Sequence, residues 1–160
     1  MPLTFLSLGS GSCGNCYYLA TDTDAIIIDC GISLRRLKKY MAEYGMRLSK
    51  VRGILITHDH ADHIQAAGKV SQECGLPVYA TSLIHEGMYR NWQQSVKVPQ
   101  ENRRFIEANE PFEIGCFKIT AFPLPHDASE NMGYHIVVGD SRFTVMTDVG
   151  DVTDSVKHYI

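Results

Sequence analysis

Three histidines and two aspartates lie within seven residues that follow an apolar run, in the segment Thr57-His58-Asp59-His60-Ala61-Asp62-His63. Imidazole and carboxylate ligands are typical of catalytic metal sites, whereas structural zinc sites are usually closed by thiolates. In an extended chain His58 and His60 share one face, so both can bind one ion, and Asp59 points to the other face. Asp62 and His63 follow where a helix should begin and could bind a second ion. The segment therefore predicts a two-metal centre, with a helix N-cap at Asp62 as the simpler alternative.

Two further candidate ligands, His126 and Asp148, stand where predicted strands end. His126 follows a loop that two prolines stiffen. Asp148 follows a predicted strand at 142–147, and its two carboxylate oxygens could bridge two cations. Without the upstream segment, a solvated loop histidine and a turn aspartate would be the simpler interpretations.

Other residues could support such a centre, and each has a structural alternative. Asp29 follows a buried run and is predicted to orient a ligand histidine, with a turn role as the alternative. The glycine-rich loop 9–15 could bind a phosphate or form a plain tight turn. Arg103-Arg104 could contact a phosphate but is more simply a solvated pair. Trp92 could stack on a base, although we expect it to be partly buried.

Cys13 and Cys16 raise a different possibility, because two cysteines with this spacing can bind a soft metal or form a disulfide. No second pair completes a four-thiolate site. A buried or turn-forming pair is therefore the preferred interpretation.

Short apolar runs and turn residues predict strands separated by helices. A helix should begin after Ser33 and stop at Gly45. The predicted strands cover residues 3–8, 16–20, 25–30, 51–56, 77–80, 116–123, 133–138 and 142–147. Three more helices are predicted over residues 64–74, 83–92 and 152–160. This order indicates a layered α/β (α+β) fold in a single domain, residues 1–160.

The composition indicates a cytoplasmic protein. No apolar stretch is long enough to span a membrane, and the first residues lack the features of a signal peptide. Five scattered cysteines suit reduced thiols better than a disulfide framework. The formal net charge of −3 argues against a broad basic surface, so a nucleic acid would have to be held locally.

In their order and spacing, five segments resemble the metallo-β-lactamase-fold hydrolases, in the subgroup of YycJ/WalJ-like proteins. They are 9–17 (Gly-Ser-Gly-Ser-Cys-Gly-Asn-Cys-Tyr), 27–31 (Ile-Ile-Asp-Cys-Gly), 57–63, 125–127 (Pro-His-Asp) and 147–150 (Thr-Asp-Val-Gly). The resemblance implies a four-layered αββα sandwich with the site at one edge between two sheets. It also implies two divalent metal ions, zinc or manganese, and divides the ligands into two sets: His58, His60 and His126 for one ion, and Asp62, His63 and a bridging Asp148 for the other.

The resemblance also implies one more histidine, in a Gly-His segment near the C-terminus, and no segment here matches it. His158, on the final predicted helix, is a poor substitute. We therefore interpret the chain as shortened at its C-terminus, with a weak or absent second metal.

The expected reaction is hydrolysis by a metal-activated hydroxide, with Asp62 as the catalytic residue that assists proton transfer. The resemblance implies DNA as the partner and a phosphodiesterase or 5′ exonuclease activity. A small-molecule ester or thioester hydrolase with the same metals is one alternative, and a non-catalytic metal-binding domain is another.

Overall fold

A computed structural model describes residues 2–125 and 130–147, which form two β-sheets and the helices that connect strands of the first sheet. The first sheet has six strands in chain order: β1 (Thr4–Gly9), β2 (Cys16–Ala20), β3 (Ala25–Cys30), β4 (Val51–Leu55), β5 (Val78–Ala80) and β6 (Arg103–Phe105). The second sheet, in the order β10-β9-β8-β7, contains β7 (Phe112–Ile114), β8 (Phe117–Pro123), β9 (Met132–Val138) and β10 (Ser141–Val145). The helices are α1 (Leu34–Glu43), α2 (Ala61–Ile64), α3 (Ala67–Cys74) and α4 (Ser82–Arg90).

The burial of the strands explains the layering. β3 is buried along its whole length, as expected for a central strand that is covered on both faces. In β8, Phe117 and Ile119 are buried and Lys118 between them is exposed, so one face of the second sheet meets the core. A single hydrophobic cluster contains residues of both sheets and of α1, α3 and α4. The predicted sandwich of sheets and helices is therefore confirmed for the described residues, and the helix predicted at 152–160 lies outside them.

The first predicted helix is also confirmed. Ser33 is its N-cap, and the Ser33 hydroxyl accepts a hydrogen bond from the backbone N–H of Arg36 at 3.2 Å. Such a bond satisfies one of the amides that lack a partner at a helix start. Gly45, just beyond the helix end, adopts a left-handed φ of 68°, which glycine permits without a steric penalty.

The helix predicted over 64–74 is confirmed from Ala67 to Cys74, but two tertiary hydrogen bonds separate this helix, α3, from the single turn α2. In a continuous helix the amide of Ala66 would donate to the carbonyl of Asp62. Instead the Asp62 carbonyl accepts from the backbone N–H of Asn15 at 2.7 Å, and Ala66 donates to the carbonyl of Cys30 at 3.0 Å. The candidate ligands therefore lie on a separate single turn that is tied to the first sheet.

Two short strands, β6 and β7, were not predicted, since runs of three residues carry little periodicity. The strands β9 and β10 form a hairpin: Val138 pairs with Ser141, and Gly139 in the two-residue turn has a φ of 56°. None of the described helices is long and apolar enough to cross a bilayer.

Candidate metal centre

The candidate ligands within the described residues lie at one edge of the first sheet, where the parallel strands β3, β4 and β5 end. Parallel strands end at the same edge, so residues that follow them come together there. Asp29 lies near the end of β3, and Thr57 and His58 follow closely after β4. The turn α2, with Asp62 and His63, comes next in the chain.

Asp29 reaches this edge through a β-bulge. In the pairing of β2 with β3, Cys16 lies opposite Cys30 and Tyr17 lies opposite Ile28, so Asp29 is left without a partner residue. Asp29 also has a φ of 60°, in the left-handed region that aspartate tolerates better than most residues. Bulges of this kind redirect a side chain. Here the bulge places the fully buried Asp29 carboxylate against the loop after β4.

The Asp29 carboxylate is the centre of a buried hydrogen-bond network. Its Oδ1 accepts from the backbone N–H of Thr57 at 2.8 Å. Its Oδ2 accepts from the Thr57 hydroxyl at 2.8 Å and lies 2.7 Å from Nδ1 of His63. Because a carboxylate only accepts, Nδ1 of His63 carries the proton. The lone pair of His63 is therefore on Nε2.

The same reasoning fixes the tautomer of His58. Nδ1 of His58 lies 2.9 Å from the hydroxyl oxygen of Thr57. That hydroxyl has a single proton, which it donates to Asp29, so it must accept from His58. Nε2 of His58 is then also a lone-pair donor. Carboxylates and hydroxyls that hold ligand histidines in this way are usual around metal centres.

The three imidazoles of the segment lie close together. The ring centres of His58 and His63 are 4.0 Å apart, and those of His58 and His60 are 4.7 Å apart. Nε2 of His63 is 3.8 Å from Oδ2 of Asp62. Nevertheless, within residues 2–125 and 130–147 no group of three or more His, Cys, Asp or Glu side chains is arranged to hold one metal ion.

Asp62 is held by Asn15, a residue that the sequence analysis did not single out. The side-chain amide of Asn15 donates to Asp62 Oδ2 at 3.2 Å, while its backbone N–H donates to the Asp62 carbonyl. Gly31 permits this contact, since a Cβ there would lie 1.8 Å from the Asp62 carbonyl oxygen. His60 occupies the N-cap position of α2, so the N-cap role considered for Asp62 is wrong.

The remaining predicted ligands, His126 and Asp148, lie outside the described residues. The second sheet does reach the centre through the residue before Asp148, because the Thr147 hydroxyl donates to the Thr57 hydroxyl at 3.2 Å. Tyr134 makes a further link: its hydroxyl donates to the carbonyl of Ile56 at 2.6 Å. Burial raises the pKa of Tyr134 well above its usual value, so this phenol remains a donor.

Three backbone amides of the glycine-rich loop 9–15 have hydrogen-bond partners. Gly14 donates to the carbonyl of Gly11 at 3.2 Å, and Gly11 donates to Oδ1 of Asn15 at 3.0 Å. With the Asn15 amide bonded to Asp62, these three N–H groups are occupied. These hydrogen bonds agree with the tight-turn interpretation.

The cysteines and arginines follow their structural alternatives. Cys13 is exposed, whereas Cys16 is buried opposite Cys30, and a hydrogen bond of the Cys16 thiol with Cys30 together with burial raises the pKa of that thiol. A raised pKa disfavours the thiolate that metal binding or redox chemistry requires.

Arg103 and Arg104 lie in β6, and each donates a hydrogen bond to a backbone carbonyl.

The predicted partial burial of Trp92 is wrong, because 84% of its surface is exposed. The helix that should have contained it ends at Arg90, and Trp92 lies in the turn beyond. This turn lines a cavity of about 900 Å³, and His60 and Asp62 line the same cavity. The candidate metal centre therefore opens onto a space large enough for a substrate.

Comparison with known proteins agrees with this architecture. Residues 24–160 match the family model of the beta-lactamase superfamily domain. The chain is 30% identical, over its whole length, to exodeoxyribonuclease YycJ of Bacillus anthracis, of which it covers 60%. It is 31% identical, over 92% of its length, to exodeoxyribonuclease WalJ of Streptococcus pneumoniae, of which it covers 54%. The chain thus spans little more than half the length of these relatives.

Solved structures show the same fold. A metallo-β-lactamase of Cronobacter sakazakii matches 96% of this chain with a TM-score of 0.72 and 16% identity, and the match covers 60% of that protein. The chain therefore belongs to the beta-lactamase superfamily, with the metallo-β-lactamase fold.

Proposed function

We propose that this chain carries the metal centre of a metal-dependent hydrolase that cleaves phosphodiester bonds in DNA. The proposal depends above all on the two buried histidines, His58 and His63, whose hydrogen bonds with Thr57 and Asp29 leave the Nε2 lone pairs available to a metal. The names of the relatives YycJ and WalJ, both exodeoxyribonucleases, support DNA as the substrate and an exonuclease as the type of activity.

Two divalent ions would share six ligands: His58, His60 and His126 for the first, and Asp62, His63 and a bridging Asp148 for the second. The donor chemistry fits, since neutral imidazole nitrogens and carboxylate oxygens are ligands of zinc and manganese. When bound, the ions supply an acidified water and stabilise negative charge on the phosphate.

The protein's own residues position these groups. Asp29 keeps His63 in the tautomer that can bind a metal, and acts on His58 through Thr57. Asp62 is partly buried and lines the cavity, and its Oδ2 lies 3.8 Å from Nε2 of His63. Its carboxylate therefore reaches both the substrate space and His63. We assign to Asp62 the acceptance of the proton that the attacking water releases.

A cytoplasmic location accompanies this proposal, because DNA is the substrate and the five cysteines, all described, are free thiols.

The test is the degradation of 5′-phosphorylated duplex DNA with Mn²⁺, Mg²⁺ or Zn²⁺ by the wild-type protein and its His58→Ala variant. Loss of a ligand that supports about 4 kcal/mol of transition-state stabilisation lowers the rate about a thousandfold. His135→Ala is the matched control. It removes an imidazole from β9 that lies 3.0 Å from the Thr144 hydroxyl and does not line the cavity, so its rate should equal that of the wild type.

Three results would contradict the proposal. Metal-bound protein that leaves DNA intact with all three metals would reject it. Turnover of esters or thioesters in place of DNA would identify a small-molecule hydrolase. Metal binding with no turnover of either substrate would indicate a binding domain.

A further inference from the structure

Trp92 is the most exposed large apolar side chain among the described residues. A single exposed hydrophobic residue is common and needs no explanation by itself. Trp92 differs from such residues in two respects: hydrogen bonds tie the turn that carries it to the ligand segment, and Trp92 lines the same cavity as His60 and Asp62.

The turn is fixed at both ends to the segment that carries the ligands. Before Trp92, the side chain of Asn91 donates to the carbonyl of Asp59 at 3.1 Å. After it, the buried side chain of Gln94 donates to the carbonyl of Ile64 at 2.9 Å. These two carbonyls flank the stretch from His60 to His63. The backbone that carries the exposed indole is therefore tied by two hydrogen bonds to the segment that contains the ligands.

The cavity that Trp92 and the ligands line has room for a nucleotide, since its volume of about 900 Å³ is near the upper end of the range for small-molecule sites. Its wall offers little positive charge. Arg90 is the only lysine or arginine among the described residues that line it, and Arg90 forms an ion pair with Glu86. Stacking on an aromatic ring binds bases with little dependence on charge or sequence.

We infer that Trp92 stacks on a base of a single-stranded DNA end whose phosphodiester bond reaches the metal centre. The inference rests on the proposed function and adds a substrate-positioning residue to the wall of the cavity. It also accounts for local binding of DNA by a chain whose net charge is −3.

Fluorescence tests the stacking without requiring turnover. Trp92 is the only tryptophan of the 160 residues, so the intrinsic emission reports this position alone. The protein is titrated, with Mn²⁺ present, with a short 5′-phosphorylated single strand whose phosphorothioate linkages slow cleavage. We expect quenching by this strand and none by a strand of the same length built from abasic sites.

Cleavage kinetics supply the second readout. Trp92→Ala should raise KM about tenfold and leave kcat nearly unchanged, because one base-stacking contact is lost. Trp92→Phe should recover most of the affinity, since it keeps an aromatic face. Tyr44→Ala is the control, as it removes an exposed aromatic side chain that does not line the cavity and should have no effect.

The two hypotheses fail separately. Absence of DNA cleavage by the wild type overturns the proposed function, whatever the fluorescence shows. Absence of quenching, or equal quenching by the abasic strand, overturns the stacking even if DNA is cleaved. An unchanged KM in Trp92→Ala would also overturn it.

Discussion

The buried and open halves of the candidate metal centre are built by different means. His58 and His63 are buried, and their rings are held by Asp29 and Thr57. His60 and Asp62 face the cavity, and for Asp62 the contact comes from the loop before β2. The buried half is therefore set by the folding of the sheet edge. The open half contains His60 and Asp62 and gives a substrate access to them.

This difference predicts different effects of mutation. Changes in the buried half should lower metal affinity and stability together, because the same hydrogen bonds serve both. Changes in the open half should lower turnover more than stability. Three variants test the contrast.

The largest of the three effects is expected for Asp29→Asn. The asparagine side chain has only one acceptor oxygen, whereas the Asp29 carboxylate accepts hydrogen bonds from three donors. Metal affinity and activity should fall by a factor of about 10 to 100. The free energy of unfolding should fall by about 2 kcal/mol. Calorimetric titration measures the metal affinity, and urea unfolding measures the free energy of unfolding. Asp140→Asn, in the exposed hairpin turn, is the control. Normal metal affinity in Asp29→Asn would remove the distinction between the two halves.

A smaller effect is expected for Asn15→Ala in the open half. Loss of the amide that donates to Asp62 should reduce kcat about tenfold, while the buried histidines keep their tautomers. Asn15→Asp should reduce it further, because a second carboxylate would face Asp62. Steady-state kinetics distinguish the two variants. If Asn15→Asp were as active as wild type, Asn15 would have no part in positioning Asp62.

The smallest effect on activity is expected for Tyr134→Phe. The variant leaves the buried carbonyl of Ile56 without its 2.6 Å hydrogen bond. The free energy of unfolding should fall by about 1 kcal/mol, and kcat/KM should remain near the wild-type value. Urea unfolding and DNA cleavage measure the two quantities. A large loss of activity would show that contacts with the second sheet tune the centre as well as stabilise it.

The sequence was informative where the signal is local. The strands β2 and β3 were predicted with the bounds that the structure gives, since short apolar runs between turn residues define them. The predicted contact of Asp29 with a histidine also agrees with the structure. The metal-binding roles of the six ligands and the single domain over 1–160 stay predictions.

Features set by tertiary contacts could not be predicted. The division between α2 and α3 depends on Asn15, which is 47 residues away from its partner Asp62. The exposure of Trp92 depends on where α4 ends, and helical periodicity alone extended that helix by two residues. Thr57 directly precedes His58 and offers a hydroxyl, but only the structure shows that Asp29 and Thr147 both bond to it.

Thr57 has a consequence for folding kinetics. Besides its bonds to Asp29 and Thr147, its carbonyl accepts from the backbone N–H of Met132 in the second sheet at 2.8 Å. The residue that orients His58 therefore reaches its final hydrogen bonding only after the two sheets have docked. Docking joins segments far apart in sequence, which is a slow step because the chain must close long loops first. The ligand geometry should accordingly appear late in refolding, in the same kinetic phase as protection of the Met132 amide from hydrogen exchange.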